Sequence, residues 1–485
     1  MTMKLKRIFA AFFTSAAIIF NAAAIPVNAD SLDGPTEVIT DGSFEYERVE
    51  GGYVIKKCTA SIITKIPDVQ NGVRIIGIGD EAFSGNGSIT ELTIPDTITS
   101  IGKYAFLGCT SLKKVTLPKR LKTLGENAFA GCTLLESVTI PDTLSEIPAG
   151  TFRKCDHLKE VNIPDNITKI GSYSFYQCTS LSKMTLPDSL VSIGEMAFGE
   201  MLSIAEFDVN GCSAYVFENN MLMDQHKSDV ICATSKLEGA LEIPSTVTEI
   251  SPGAFSACPA ITELTLPASV KAIGYGAFSS QVMGSVGYCS AINKINFAEG
   301  IEYIGEGAFG YSSIESLLLP STLKEIGSGA FAGCYKLNRL VIPEGVETIG
   351  DSAFMICPQL KSVSIPKSVK NIGDNAFGIT VTDGQVANTE DFSMSVVSGS
   401  AGEKYAKSNG LDYTVSDKNL KRIAFIIIAV GLIAAAVIFG LVLMARSKKR
   451  ASSNARKAKK LAIEQEDEKN YKKIVDDDLD DNTKK

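Results

Sequence analysis

The chain has 485 residues, 45% hydrophobic and 21% charged, a composition that excludes disorder over its whole length. It has no Trp and only two His, His157 and His226, too few for a three-His zinc site or for much proton transfer near pH 7. The net charge of −8 divides unevenly, with +3 in residues 1–29, −17 in 30–420 and +6 in 421–485; so acidic a central segment repels phosphates and excludes nucleic acid as a partner.

Residues 1–29 read as a secretory signal peptide. Lys4, Lys6 and Arg7 form a basic start, Ile8 to Phe20 is mostly apolar, and Val27-Asn28-Ala29 supplies small residues for cleavage.

An Ala-Phe pair or close variant then recurs. Its Phe positions are 83, 106, 129, 152, 175, 198, 255, 278, 309, 331, 354 and 377, mostly 23 residues apart, with exceptional steps of 57, 31 and 22. Twelve of the 23 Phe thus occupy one structural position, which predicts a core ladder and not an aromatic binding face. In each unit an L-x-x-V-x-L pattern such as Leu112, Val115 and Leu117 alternates as a half-buried strand requires, and Pro118 ends it. Twenty-three residues cannot hold a strand and a long helix, and one unit cannot bury its own apolar face. The expected fold class is a β-rich solenoid, a leucine-rich-repeat array of about 12 coils over residues 69–380 with one parallel strand per coil.

The L-x-x-V-x-I-P, I-G and A-F-x-G-C elements at this period resemble the BspA-like leucine-rich repeats of bacterial surface proteins, over about residues 44–413. Phe44 to the Ile66-Pro67 step is similar to that family's N-terminal cap, which the resemblance places at 30–68, and Gly399 to Lys407 is similar to its closing motif, within a C-terminal cap and linker at 381–420. The resemblance implies a surface adhesion or interaction protein that binds matrix proteins or other cells. A fold by itself does not fix a function.

Eight cysteines, Cys109, Cys132, Cys155, Cys178, Cys258, Cys289, Cys334 and Cys357, share one repeat position. Other coils place Asn86, Met201 or Ser312 there, so the slot is no metal-ligand set. Small buried filler with a weak S–H donor is the expected role. Cys212 and Cys232 lie in one insert and are close enough in sequence to pair. No cofactor or metal is expected.

Two outward columns flank the strand, Glu91 to Ser362 and Thr93 to Ser364, and read chiefly as a solvated face with cross-strand pairs. Leu318 and Val341, beside Arg339, break the polar pattern and are contact candidates. The long step from 198 to 255 holds an insert near 210–236, read as a hairpin closed around Asn219 to Asp229. Tyr215, Phe217 and His226 in it are further contact candidates, because insertions in repeat arrays often bind. A Gly/Ser-rich loop at 279–288 is a shorter insert.

Ile423 to Ala445 carries no charge over 23 residues, enough to cross a hydrocarbon core of about 30 Å. Residues 421–446 are therefore read as a transmembrane helix. The denser basic cluster follows the span, which places the tail 447–485 in the cytoplasm and the repeats outside. There is no LPxTG sorting signal before it, and no P-loop, GxSxG, HExxH or EF-hand motif anywhere. The expectation is a non-enzymatic, single-pass, adhesin-like protein of the bacterial cell membrane. Its partner would be a protein or glycan on a host or neighbouring cell. The alternative is a receptor or scaffold whose tail recruits a cytoplasmic partner, with a surface hydrolase a more distant third.

Overall fold

The structure is a computed structural model and describes residues 38–60, 63, 65–279, 291–382 and 385–415. The signal-peptide, membrane-span and tail readings, Cys289 and most of the 279–288 loop lie outside the described residues. Among the described residues no helix is long and apolar enough to cross a membrane.

Each repeat contributes a three-residue strand such as Glu91–Thr93, Lys114–Thr116 or Ser137–Thr139, paired in parallel with the next coil. Its central residue is buried and its two neighbours exposed, the alternation read from the sequence. After the Leu-Pro step, the Pro carbonyl accepts the N–H three residues on, as Pro118 does from Leu121. The chain then enters a second strand of two residues, Ser100–Ile101, Thr123–Leu124 or Glu146–Ile147. One strand per coil was expected; there are two. Two residues are too few to display a period, so the sequence pattern could not announce this strand.

The Gly after the second strand has a packing reason. A Cβ on Gly125 would sit 2.3 Å from the carbonyl carbon of Gly102, so the neighbouring coils meet backbone to backbone. Two residues before every ladder Phe the chain turns through left-handed φ, at Tyr104 (+57°), Asn127 (+54°), Gly253 (+64°) and Gly276 (+55°), for example. The Ala-Phe turn follows, and its N–H donates to the next coil, Phe106 to Ala128 and Phe129 to Thr151.

The array has about 15 turns at the 23-residue spacing and almost no helix. The expected 12 counted only coils with a ladder Phe. Coils without one also stack: Glu238–Glu242 in the insert region, and Ser393–Val396 and Asp412–Val415 at the end, continue the parallel pairing. At the start, Phe44–Val49 and Gly52–Cys58 form an antiparallel pair whose second strand joins the array. The one described helix, Ala401–Ser408, begins at Ser400, whose hydroxyl accepts from the N–H of Glu403, while the Glu403 carboxylate accepts from Gly399.

The Phe rings stack as expected. Centroids lie 4.8 Å apart for Phe83 and Phe106, and 4.7 Å for Phe255 and Phe278. Each outer end is closed by an aromatic ring set edge-on, Phe44 against Phe83 and Tyr405 against Phe377. The Tyr405 hydroxyl also donates to the Phe377 carbonyl and accepts the Phe377 N–H.

Candidate functional site

The insert is more than one hairpin. Tyr215–Glu218, Met221–Asp224 and Asp229–Ala233 form three antiparallel strands. The first turn is Asn219-Asn220, both left-handed, the pairing a tight two-residue hairpin requires. The second turn is organised by Asp224, whose carboxylate accepts N–H groups from His226, Ser228 and Asp229. Burial alone would raise its pKa, but these donors outweigh it and hold the carboxyl below the usual range. Asp229–Ala233 then pairs in parallel with Glu249–Ile250, and the regular array resumes.

This placement corrects two of the insert candidates. Tyr215 is buried, its hydroxyl donates to the Val191 carbonyl, and burial pushes its pKa up. Phe217 is half-buried and packs on the N-terminal core against Phe207. Their rings fill the interior and do not form a contact surface. His226 is exposed at the second turn, beside an ion pair between Lys227 and Glu218. Cys212 and Cys232 are both buried free thiols.

The cysteine slot is interior filler, as expected. Cys109, Cys132, Cys155, Cys178, Cys334 and Cys357 are buried free thiols, and each sulfur donates to the carbonyl of a ladder Phe in the coil before, 3.2–3.6 Å away.

The strand face brings the other three candidates together. Leu318 is 69% exposed, which is unusual for a Leu in a parallel strand. Its register partner is Val341, half-buried, on the same face. Arg339 is exposed, stands in register with Ser316, and has no ion-pair partner among the described residues. Elsewhere on the face two lysines are paired. Lys183 bonds Glu206 at 3.0 Å, and the carboxyl of Glu263 is held below its ordinary range by hydrogen bonds from Lys294 and Asn296. Leu318 and Val341 therefore stand out as an apolar pair on a polar face, beside the Arg339 guanidinium. Covering Leu318 would contribute about 1.5–3 kcal/mol to a complex.

Among the exposed apolar side chains that sequence reasoning passed over, Val191 is the most exposed. Val191 is 71% exposed beside the second strand, in a column otherwise occupied by residues such as Thr99, Lys122, Ser145 and Thr168. An apolar residue in a polar column was the available signal. His157 is exposed at a coil edge, with Nδ1 2.9 Å from the Thr133 carbonyl, and joins no catalytic group. Among the described residues no cluster of His, Cys, Asp and Glu could hold a metal.

Two parallel strands per coil, a stacked Phe ladder and an Ala-Phe corner define a leucine-rich-repeat solenoid. The family model for the BspA type leucine rich repeat region matches residues 76–205, 145–238, 227–286 and 283–382. More than half of the chain is covered, and the protein belongs to that family. A leucine-rich cell surface protein from Faecalibacterium prausnitzii is similar at 27% identity and a TM-score of 0.55, over 80% of this chain and 97% of that one. The pneumococcal vaccine antigen PcpA shares the fold at 20% identity and a TM-score of 0.54, over 79% of this chain and 99% of its own. No curated protein sequence matches the chain. Its kin are bacterial repeat proteins of the surface type.

Proposed function

We propose that this chain is a non-enzymatic, adhesin-like surface protein, held to the bacterial membrane by residues 421–446, whose solenoid binds a protein or glycan on a host or neighbouring cell. The observation that carries the reading is the strand face. Among the described residues it presents, at Leu318, Arg339 and Val341, an apolar pair beside a guanidinium that has no ion-pair partner. Affinity then comes from a few residues of this kind surrounded by near-neutral polar contacts. The name of the Faecalibacterium relative, a cell surface protein, supports the location. The charge-free span and its basic flank support the anchor.

The test is binding of the full chain in detergent to an array of matrix proteins, glycans and whole cells. The double variant Leu318→Asp/Arg339→Glu should lose at least tenfold in affinity, whereas His226→Ala should change it little. Loss with His226→Ala and not with the double variant would move the site to the insert. Binding to nothing on the array, by a folded chain, would end the adhesin reading. A cellular response abolished by deleting 451–485, with binding intact, would favour the receptor alternative.

A further inference from the structure

The insert divides the interior of the array. Its strands are buried on both faces, and each face belongs to a different core. In Met221–Asp224, Leu222 packs with the N-terminal core, while Met221 and Met223 pack with the C-terminal one. The flanking strands divide likewise: Tyr215, Phe217 and Cys232 go to the first core, Val216, Val230 and Ala233 to the second. By backbone contacts the chain up to Val415 is one compact unit. By side chains it is two cores on either side of a wall.

A further feature marks a termination rather than a gap. At the wall the Phe198 ring meets Phe207 tilted by 51°, and Phe207 meets Phe217 at 60°, so the parallel stack of rings ends there, as it ends edge-on at its outer ends. A nine-stranded sheet starts with the insert, whereas the row of two-residue strands before it is already divided between Thr123–Leu124 and Glu146–Ile147. Across the divide run polar ties. The Glu200 N–H donates to Ser256 Oγ at 2.9 Å and the Ser235 N–H to the Ile204 carbonyl at 3.0 Å, while Gln177 Nε2 holds the buried Glu200 carboxylate from its own side at 2.6 Å. Gln177 and Glu200 hold left-handed φ of +60° and +55°, a conformation that costs free energy in any residue with a Cβ.

We propose that the three strands over residues 215–233 make the solenoid two cooperative units sharing one wall, so that either block opens while the other stays closed. In an unbroken array, loss of one coil exposes the core of the next, and the disturbance propagates. Here it meets a strand whose far face is already sealed.

Adjacent residues with opposite allegiance provide the test. Leu222→Ala and Met223→Ala are made in the full chain in detergent, and amide exchange is followed by mass spectrometry across urea concentrations. Leu222→Ala should speed exchange of the slowest amides in coils 83–198 about a hundredfold and leave coils 255–377 within about threefold; Met223→Ala should do the reverse. Equal acceleration of both blocks by either variant would overturn the proposal. If a variant fails to fold, the wild type decides. Two units give the slowest amides of each block about half the urea dependence that unfolding of the whole array requires. The full dependence in both blocks would overturn the proposal as surely.

Discussion

The two blocks are built from one repeat yet pack differently. In the N-terminal block the ring spacing opens from 4.8 Å between Phe83 and Phe106 to 6.2 Å between Phe175 and Phe198, with planes 22° apart at the last step. In the C-terminal block every spacing lies between 4.7 and 5.4 Å, and no pair of planes diverges by more than 10°. The left-handed corner differs in composition. It holds Glu81, Tyr104, Asn127, Gly150, Tyr173 and Met196 in the first block, and Gly253, Gly276, Gly307, Gly329, Ser352 and Asn375 in the second. Near the wall these side chains take up space between coils. A Cβ on Gly199 would lie 3.0 Å from the Tyr176 ring and 3.1 Å from Met196 Cε. Arg153 stacks over both Tyr173 and Tyr176 at the same corner. The ladder Phe sets the repeat, and the corner residue alone does not set how closely the rings nest, since Glu81 and Tyr104 accompany a 4.8 Å spacing and Gly150 a 5.9 Å one.

The largest expected effect tests that contrast directly. Phe152→Ala and Phe309→Ala should each cost about 3–5 kcal/mol in urea unfolding, with Phe309 nearer the upper end because its neighbours have less freedom to close the cavity. A larger loss at Phe152 would break the comparison.

Next comes Asp229, where the wall meets the C-terminal block. Burial, with help from the charges of Glu249 and Asp224, pushes its carboxyl up to about 6, although Ser251 donates to both oxygens. The folded state therefore holds the proton more tightly than the unfolded one, and stability falls as pH rises from 4 to 6. Asp229→Asn should stabilise the C-terminal block by about 1–2 kcal/mol at pH 7, after allowance for solvent screening, and by almost nothing at pH 4. Melting curves of both proteins at the two pH values check this; equal gains at both would refute it.

Corner chemistry gives smaller shifts of opposite sign. Gly276→Ala should lose about 1 kcal/mol, since φ of +55° penalises any Cβ even where the space is open. Lys154, exposed at φ +60° where other coils place Gly131 or Gly108, should gain up to about 1 kcal/mol on substitution by Gly. The smallest effect belongs to the surface. Lys370→Ala removes an exposed ion pair with Glu347 and should leave the midpoint within error of wild type.

Much of this architecture was legible in the sequence. The period, the Phe ladder, the interior cysteines and the polar strand face all follow from residues recurring at one spacing. The coils lacking a Phe were not legible, because they lack the residue that marks the others. The wall was half legible. Met221-Leu222-Met223 is an unbroken apolar run, which fits a strand buried on both faces as well as a hairpin edge. The assignment of Tyr215 and Phe217 to a surface failed for the same reason: alternation tells which residues share a face, not whether that face meets solvent or a second core.

The wall also bears on how such a chain can change in length. Each block ends against its own side of the same three strands, so the demands at that boundary are local. A whole 23-residue unit duplicated or lost between Phe331 and Phe354 would shift the coils beyond it along the stack. The faces of Leu222 and Met223 would keep their own neighbours. Copy number on one side is thereby uncoupled from copy number on the other, and each side can lengthen or shorten on its own.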